Sequence, residues 1–181
     1  MLLSPLRPSR RHGQRLMAIA LILLLSLTLF AQAAHAAIRT IEEGPGQVLY
    51  QTRITLRDEA NQRWQAIAFK RHKADDSEIL GLRLVGFPGA ADIDRTQPLR
   101  LVDSLGHVFT AADTSAKIFT DEAAPEPYIG QYDLGAVLAD IQPAIPLELQ
   151  IPVIDGEPIL LLIPPPALQE WQQLPGFGTE A

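Results

Sequence analysis

Between positions 48 and 57 the chain alternates without a break: Val48, Tyr50, Thr52, Ile54 and Leu56 take one side, and Leu49, Gln51, Arg53, Thr55 and Arg57 the other. A side-chain period of two is that of an extended strand, and a run this long, rich in β-branched and aromatic residues, predicts a half-buried one. Related patterns recur between short polar turns. After positions 58–62, Trp64, Ala66 and Ala68 stand against Ile67 and Phe69, ahead of the basic run Lys70, Arg71, His72 and Lys73. After a second turn over 74–78, positions 79–87 predict a third strand, stopped by Pro88 and Gly89. Strands joined by turns this short pair as an antiparallel meander.

The second half carries two more hairpins and two helical patterns. Positions 99–102 and 107–110 flank Asp103-Ser104-Leu105-Gly106, with Gly106 where a positive φ is needed. Positions 147–153 and 159–163 flank a turn marked by Asp155-Gly156. Leu160-Leu161-Leu162 lacks alternation, which predicts a strand covered on both faces, and Leu162 and Trp64 are both expected in the core. Asp133 is placed to cap a helix over 134–141, with Leu134, Val137, Leu138 and Ile141 on one face and Tyr132 stapled to Val137. A second helix follows Pro164-Pro165-Pro166, with Leu168 and Trp171 inward and Pro175-Gly176 as its stop. The acidic stretch 111–127 is expected to be a mobile loop. The expected fold is mainly β: an antiparallel sandwich or partly open barrel of about seven strands with two short helices.

Residues 1–36 read as an address. Arg7, Arg10, Arg11 and Arg15 precede an uncharged, leucine-rich apolar run over 16–30, and Ala31-Gln32-Ala33-Ala34-His35-Ala36 supplies small residues. Positive, apolar and small-residue segments in that order make a secretory signal peptide, with Ala37 as the first mature residue. As a helix the apolar run would cover roughly 22 Å, short of the ~30 Å hydrocarbon core, so cleavage is expected rather than retention as an anchor. That leaves 37–181 as a single mainly-β domain with a short C-terminal helix and tail.

Cleavage sharpens the charge balance. The whole chain has 15 basic and 21 acidic residues; losing four arginines and no acid leaves 11 against 21, a net charge of −10. Such a surface repels nucleic acid and anionic lipid, so neither is an expected partner. The sequence has no cysteine, which excludes disulfides, thiolate metal sites, cysteine nucleophiles and a lipoprotein-type anchor.

Chemical motifs are few. The sequence contains no phosphate-binding P-loop, dinucleotide fingerprint, H-E-x-x-H or EF-hand loop, and no cofactor is expected. Val102-Asp103-Ser104-Leu105-Gly106 resembles a nucleophile elbow without its first glycine, but His107-Val108-Phe109-Thr110 continues as strand where an elbow needs a helix. Only His72 and His107 follow position 36, too few for a histidine-based zinc site, and no metal site is expected. His107 lies across a hairpin from Asp103, so an imidazole–carboxylate contact is expected there, as a turn lock or as a catalytic pair. Asp92 and Asp94 point the same way on an extended segment. They can raise one another's pKa for acid–base work, hold a hard cation with Asp75, Asp76 and Glu78, or simply keep a loop in water. Asp92, Asp94, Asp103 and His107 are therefore the candidate catalytic residues. Tyr128, Gly130, Gln131 and Tyr132, at the end of the acidic loop, are the candidate binding residues; the two tyrosines can equally pin the following helix to the sheet.

Several segments together resemble a cyanobacterial family of uncharacterised secreted proteins defined by a domain of unknown function. They are Arg57-Asp58, Trp64, Phe69-Lys70-Arg71, positions 82–89 (LRLVGFPG), positions 129–134 (IGQYDL), Ile163-Pro164-Pro165 and Glu170-Trp171. The similarity runs from about Ile38 to Leu174. It implies one compact domain in the periplasm or thylakoid lumen, and it brings no catalytic residue. The expected function is a non-enzymatic binding or accessory domain, such as an assembly or stabilising factor that meets a membrane-complex protein on the periplasmic or lumenal side. A carboxylate-based hydrolase or lyase is the alternative.

Overall fold

The computed structural model describes residues 38–118 and 125–178. The expected signal peptide over 1–36 and the middle of the acidic loop lie outside the described residues.

Among the described residues nine strands form two antiparallel sheets. They are β1 (Arg39–Gly44), β2 (Gln47–Arg57), β3 (Arg63–His72), β4 (Glu78–Gly86), β5 (Leu99–Asp103), β6 (Val108–Ala111), β7 (Ile129–Asp133), β8 (Leu147–Ile151) and β9 (Ile159–Ile163). One sheet has the order β1-β2-β3-β4-β7 and the other β6-β5-β8-β9. The inner face of the first sheet can be read in rows. Leu56, Trp64 and Gly86 stand abreast; Ile54, Ala66, Leu84 and Gly130 come next; then Thr52, Ala68, Leu82 and Tyr132; and last Tyr50, Lys70 and Leu80. The apolar side chains among them join Leu99, Leu101, Leu147, Leu149, Ile151, Leu161 and Ile163 of the second sheet in one core. The two sheets therefore pack as a sandwich.

The expected antiparallel β architecture is present, with two strands more than the sequence pattern suggested. β1 has five exposed residues and one partly buried, so no alternation marks it. β7 contains Gly130 and was hidden in what read as the approach to a helix.

That helix over 134–141 does not form. Leu134 N–H instead bonds Leu80 O at 3.0 Å, and Val137 N–H bonds Leu134 O at 3.1 Å. Val137 has φ −124°, outside the helical range, and only Leu138–Asp140 makes a single 3-10 turn. Leu134, Val137, Leu138 and Ile141 are all buried as the pattern required. Eight residues containing a glycine gain little from helix propagation against the nucleation penalty, so tight turns achieve the same burial. The second helix is present as α1 (Pro165–Gln173), with Leu168 and Trp171 buried and a 3-10 turn over Leu174–Gly176. Thr52 Oγ1 donates to Glu170 Oε2 at 2.6 Å and ties α1 to the middle of β2.

The expected core position Leu162 is exposed, and the third expected strand stops one residue short of Phe87. Leu162 is 60% exposed, between Leu161 and Ile163, which are fully buried. Even an all-leucine run is pleated, and no described element covers the outer face of that sheet. Phe87 is 65% exposed, because β4 ends at Gly86 and Phe87 opens the following turn, its O accepting Ala90 N–H at 2.9 Å.

Candidate functional site

β3 carries its inward alternation of Trp64, Ala66 and Ala68 one step further, to a lysine. Lys70 is 2% exposed. Its Nζ meets Glu78 Oε1 at 2.8 Å, Pro175 O at 2.9 Å and Phe177 O at 2.8 Å. An ammonium has three protons to donate, and all three are used. Glu78, at the mouth of the site, also faces His72 Nδ1 at 3.7 Å. The hydrogen bond from Lys70 holds the Glu78 carboxyl below its usual pKa, against a smaller upward push from burial, and His72 adds to the lowering.

Beside this ion pair opens a cleft of about 460 Å³, walled by Lys70, Glu78, Thr114, Lys117, Gln131 and Asp133 among others. Its polar wall is held firmly. Gln131 Oε1 accepts from Arg83 Nε at 3.2 Å and Nη2 at 2.8 Å, while Gln131 N–H donates to Ser115 Oγ at 2.9 Å. Ser115 is fixed by Asp113, whose carboxylate accepts both Ser115 N–H at 2.9 Å and Ser115 Oγ–H at 2.7 Å. Lys117 is exposed, and Asp133 uses Oδ1 to accept Gly135 N–H at 2.8 Å. The cleft thus offers the exposed cation of Lys117 and the partly free carboxylate of Asp133 on a hydrogen-bonded frame.

Sequence reasoning placed Gln131 among the binding candidates, and it lines this cleft. Gly130, Gln131 and Tyr132 belong to β7 and are buried; Tyr128, partly exposed, precedes the strand. Tyr132 is fully buried in the core, and its hydroxyl has no hydrogen-bond partner among the described residues. Burial drives its pKa far upward, so the phenol stays protonated. An unpartnered buried hydroxyl costs about 1–3 kcal/mol. Tyr132→Phe should therefore match or exceed the wild-type stability by up to about 1 kcal/mol in urea melts. A clear loss would mean that the hydroxyl is satisfied.

The four catalytic candidates do not assemble. Asp103 and His107 meet as expected, Oδ2 to Nδ1 at 2.8 Å. Asp103 Oδ1 also accepts Leu105 N–H and His107 N–H, both at 2.9 Å, and Gly106 supplies the positive φ of 87° that closes the turn. Asp94 hydrogen-bonds at the far end of β8, its N–H to Pro152 O at 3.0 Å, whereas Asp103 pairs with Leu147 at the near end. Five residues of strand put roughly 17 Å between these places. Asp94 Oδ1 accepts from Thr96 N and Oγ1 at 3.0 and 2.6 Å, a bond pattern that lowers its pKa. Asp92 faces a separate shallow cleft with Asp155. Among the described residues no group of three or more metal-ligating side chains converges.

Burial pushes the Asp103 carboxyl upward, but the His107 ring and the two N–H donors outweigh it and hold the pKa below 3.8. A lowered pKa stabilises the fold above the ordinary value, and the gain disappears as the pH falls through the lowered one. Protection of the Leu105 and His107 amides from exchange should hold from neutral pH down to about 4 and weaken below it. Protection that weakens already between neutral pH and about 5 would show that the carboxylate is not the lock.

Lys70 is the site residue that sequence reasoning missed. Its signal was present: one more step along the Trp64, Ala66, Ala68 alternation reaches it. Among the described residues no helix is long and apolar enough to cross a membrane. Residues 36–174 match the model of a family described as a protein of unknown function, DUF3122. No curated protein and no solved structure matches the chain.

Proposed function

The chain belongs to the DUF3122 family, and from that premise we propose that it is an exported, non-enzymatic binding or accessory domain of cyanobacteria. It works in the periplasm or thylakoid lumen after cleavage near Ala36, as an assembly or stabilising factor at a membrane complex. The observation that carries this reading is the cleft beside Lys70. It presents Lys117, Thr114 and Asp133 from a frame fixed by buried hydrogen bonds, which suits recognition of a polar protein segment. The ionised side chains elsewhere support it: Asp94 and Asp103 are acceptors committed to their own turns, and their lowered pKa values make them poor general acids at neutral pH. The net charge of −10 after cleavage favours a protein partner over anionic lipid or nucleic acid.

The test uses the exported protein as bait in membrane and soluble fractions of its own cells, with mild crosslinking. One protein should be retained by wild type and lost from Lys117→Glu, which alters an exposed cleft residue without touching the core. Recovery of the bare chain alone would overturn the proposal. The hydrolase or lyase alternative has the 2.8 Å Asp103–His107 contact in its favour. Against it, the imidazole is 64% exposed on a hairpin tip, and Asp92 and Asp94 stand well away along β8.

A further inference from the structure

The edges of the two sheets are treated unequally. The outer edge of β7 is occupied by the 112–114 segment: Thr114 N–H bonds Gln131 O at 2.7 Å, and Asp133 N–H bonds Ala112 O at 3.0 Å. The extension of β8 is paired with the segment around Ile93. β6 and β9 are short, with four and five residues, and prolines border β9 on both sides. β1 is different. It is bonded to β2 on one side, and no described residue pairs with the other. Residues 39–43 are all exposed, including Ile41 at 40%. An open strand edge carrying an exposed isoleucine is a template for another strand.

The sequence of β1 selects which strand fits. In an antiparallel pair, residues that face each other must both direct their backbone groups inward or both outward, and this orientation alternates along a strand. Two copies of β1 can therefore pair only about a residue opposite its own twin. Centred on Glu42, the register sets two carboxylates face to face and puts Ile41 against Glu43. Centred on Thr40, it puts Arg39 against Ile41. Centred on Ile41, it sets Ile41 against Ile41 and brings Arg39 beside Glu43, the residue at the bulge between Glu42 and Gly44, twice by symmetry. Opposite charges and matched apolar residues across a strand pair are favourable, and like charges are not. Glu43 is already held on the outer face by Arg71, Oε2 to Nε at 2.8 Å, so an arriving Arg39 meets an oriented carboxylate.

We propose that β1 is a homodimer interface, in which a second copy of this chain adds its own β1 antiparallel about Ile41. The five-stranded sheets of two copies then become one continuous sheet related by a two-fold axis. The interface is independent of the cleft beside Lys70.

Because the chain has no cysteine, single cysteines report the register cleanly. Facing Cβ atoms in such a pair lie about 4.5–5.5 Å apart, near enough for a disulfide to form with a small backbone adjustment. Expressed in the full chain, Ile41→Cys should crosslink to a dimer under mild oxidation. Thr40→Cys and Glu42→Cys should each stay single alone and crosslink to each other when mixed. Sedimentation of the unmodified protein should show a mass that rises toward the dimer with concentration, and Arg39→Glu should weaken association about tenfold. A monomer at every concentration would leave the edge to a different chain and overturn the proposal. Equal crosslinking at all three positions would overturn the register and, with it, the interface.

Discussion

Trp64→Ala should lower stability by about 3–5 kcal/mol. Trp64 is fully buried on the inner face of β3, abreast of Leu56 and Gly86. The space around its ring is reserved: a Cβ at Gly86 would come within 2.9 Å of the indole. Truncation would leave a cavity that neighbouring alanines on the same strand cannot fill. It would also orphan Asp58, whose Oδ2 accepts the indole N–H at 3.0 Å while Oδ1 holds Gln62 N–H at 2.8 Å. Against a total of roughly 5–15 kcal/mol, such a loss should shift a urea midpoint far toward zero. Leu162→Ala is the control. That side chain is 60% exposed, so its removal should change stability by no more than about 0.5 kcal/mol. Similar midpoints for the two variants would disprove the inward register of β3.

Lys70→Ala should cost about 2–3 kcal/mol and release the C-terminal segment. The buried ammonium is the shared donor for Pro175 O and Phe177 O, and Phe177 in turn packs its ring 5.4 Å from Tyr50. Charge-assisted bonds to two carbonyls supply most of the effect. The bond to Glu78 supplies less, because that carboxylate is 41% exposed and water can replace the lysine. Glu78→Gln should accordingly cost under about 1 kcal/mol. Amide exchange and limited proteolysis at 174–178 separate the two variants: the segment should open in Lys70→Ala and stay closed in Glu78→Gln. Equal opening would place the latch on the carboxylate instead of the ammonium.

What was legible in the sequence was local. The alternation over 48–57 located β2, the polar turns bounded β3 and β4, and Asp155-Gly156 and Asp103 to Gly106 marked two hairpins, because strand pitch and turn geometry are settled within a few residues. The Asp103–His107 contact belongs to the same class, since a hairpin brings those side chains together whatever surrounds it. The proline-led start of α1 and its Leu168–Trp171 face were also readable.

The remainder depended on what each face and edge meets across the fold, which no window of sequence contains. Leu162 is as apolar as Leu161, and only the absence of a described layer over that face decides that one is exposed and the other buried. The 134–141 pattern has helical spacing, but the bond from Leu134 to Leu80 O extends the sheet contact of β7 and turns the chain early. Lys70 reads as part of a basic, solvated strand end. It becomes a buried cation because residues more than a hundred positions later return two carbonyls to its ammonium. The sequence could point Lys70 inward and single out Gln131, but a long-range partner of that kind sets the free energy of the group it meets, so only the tertiary structure brings the two to one cleft.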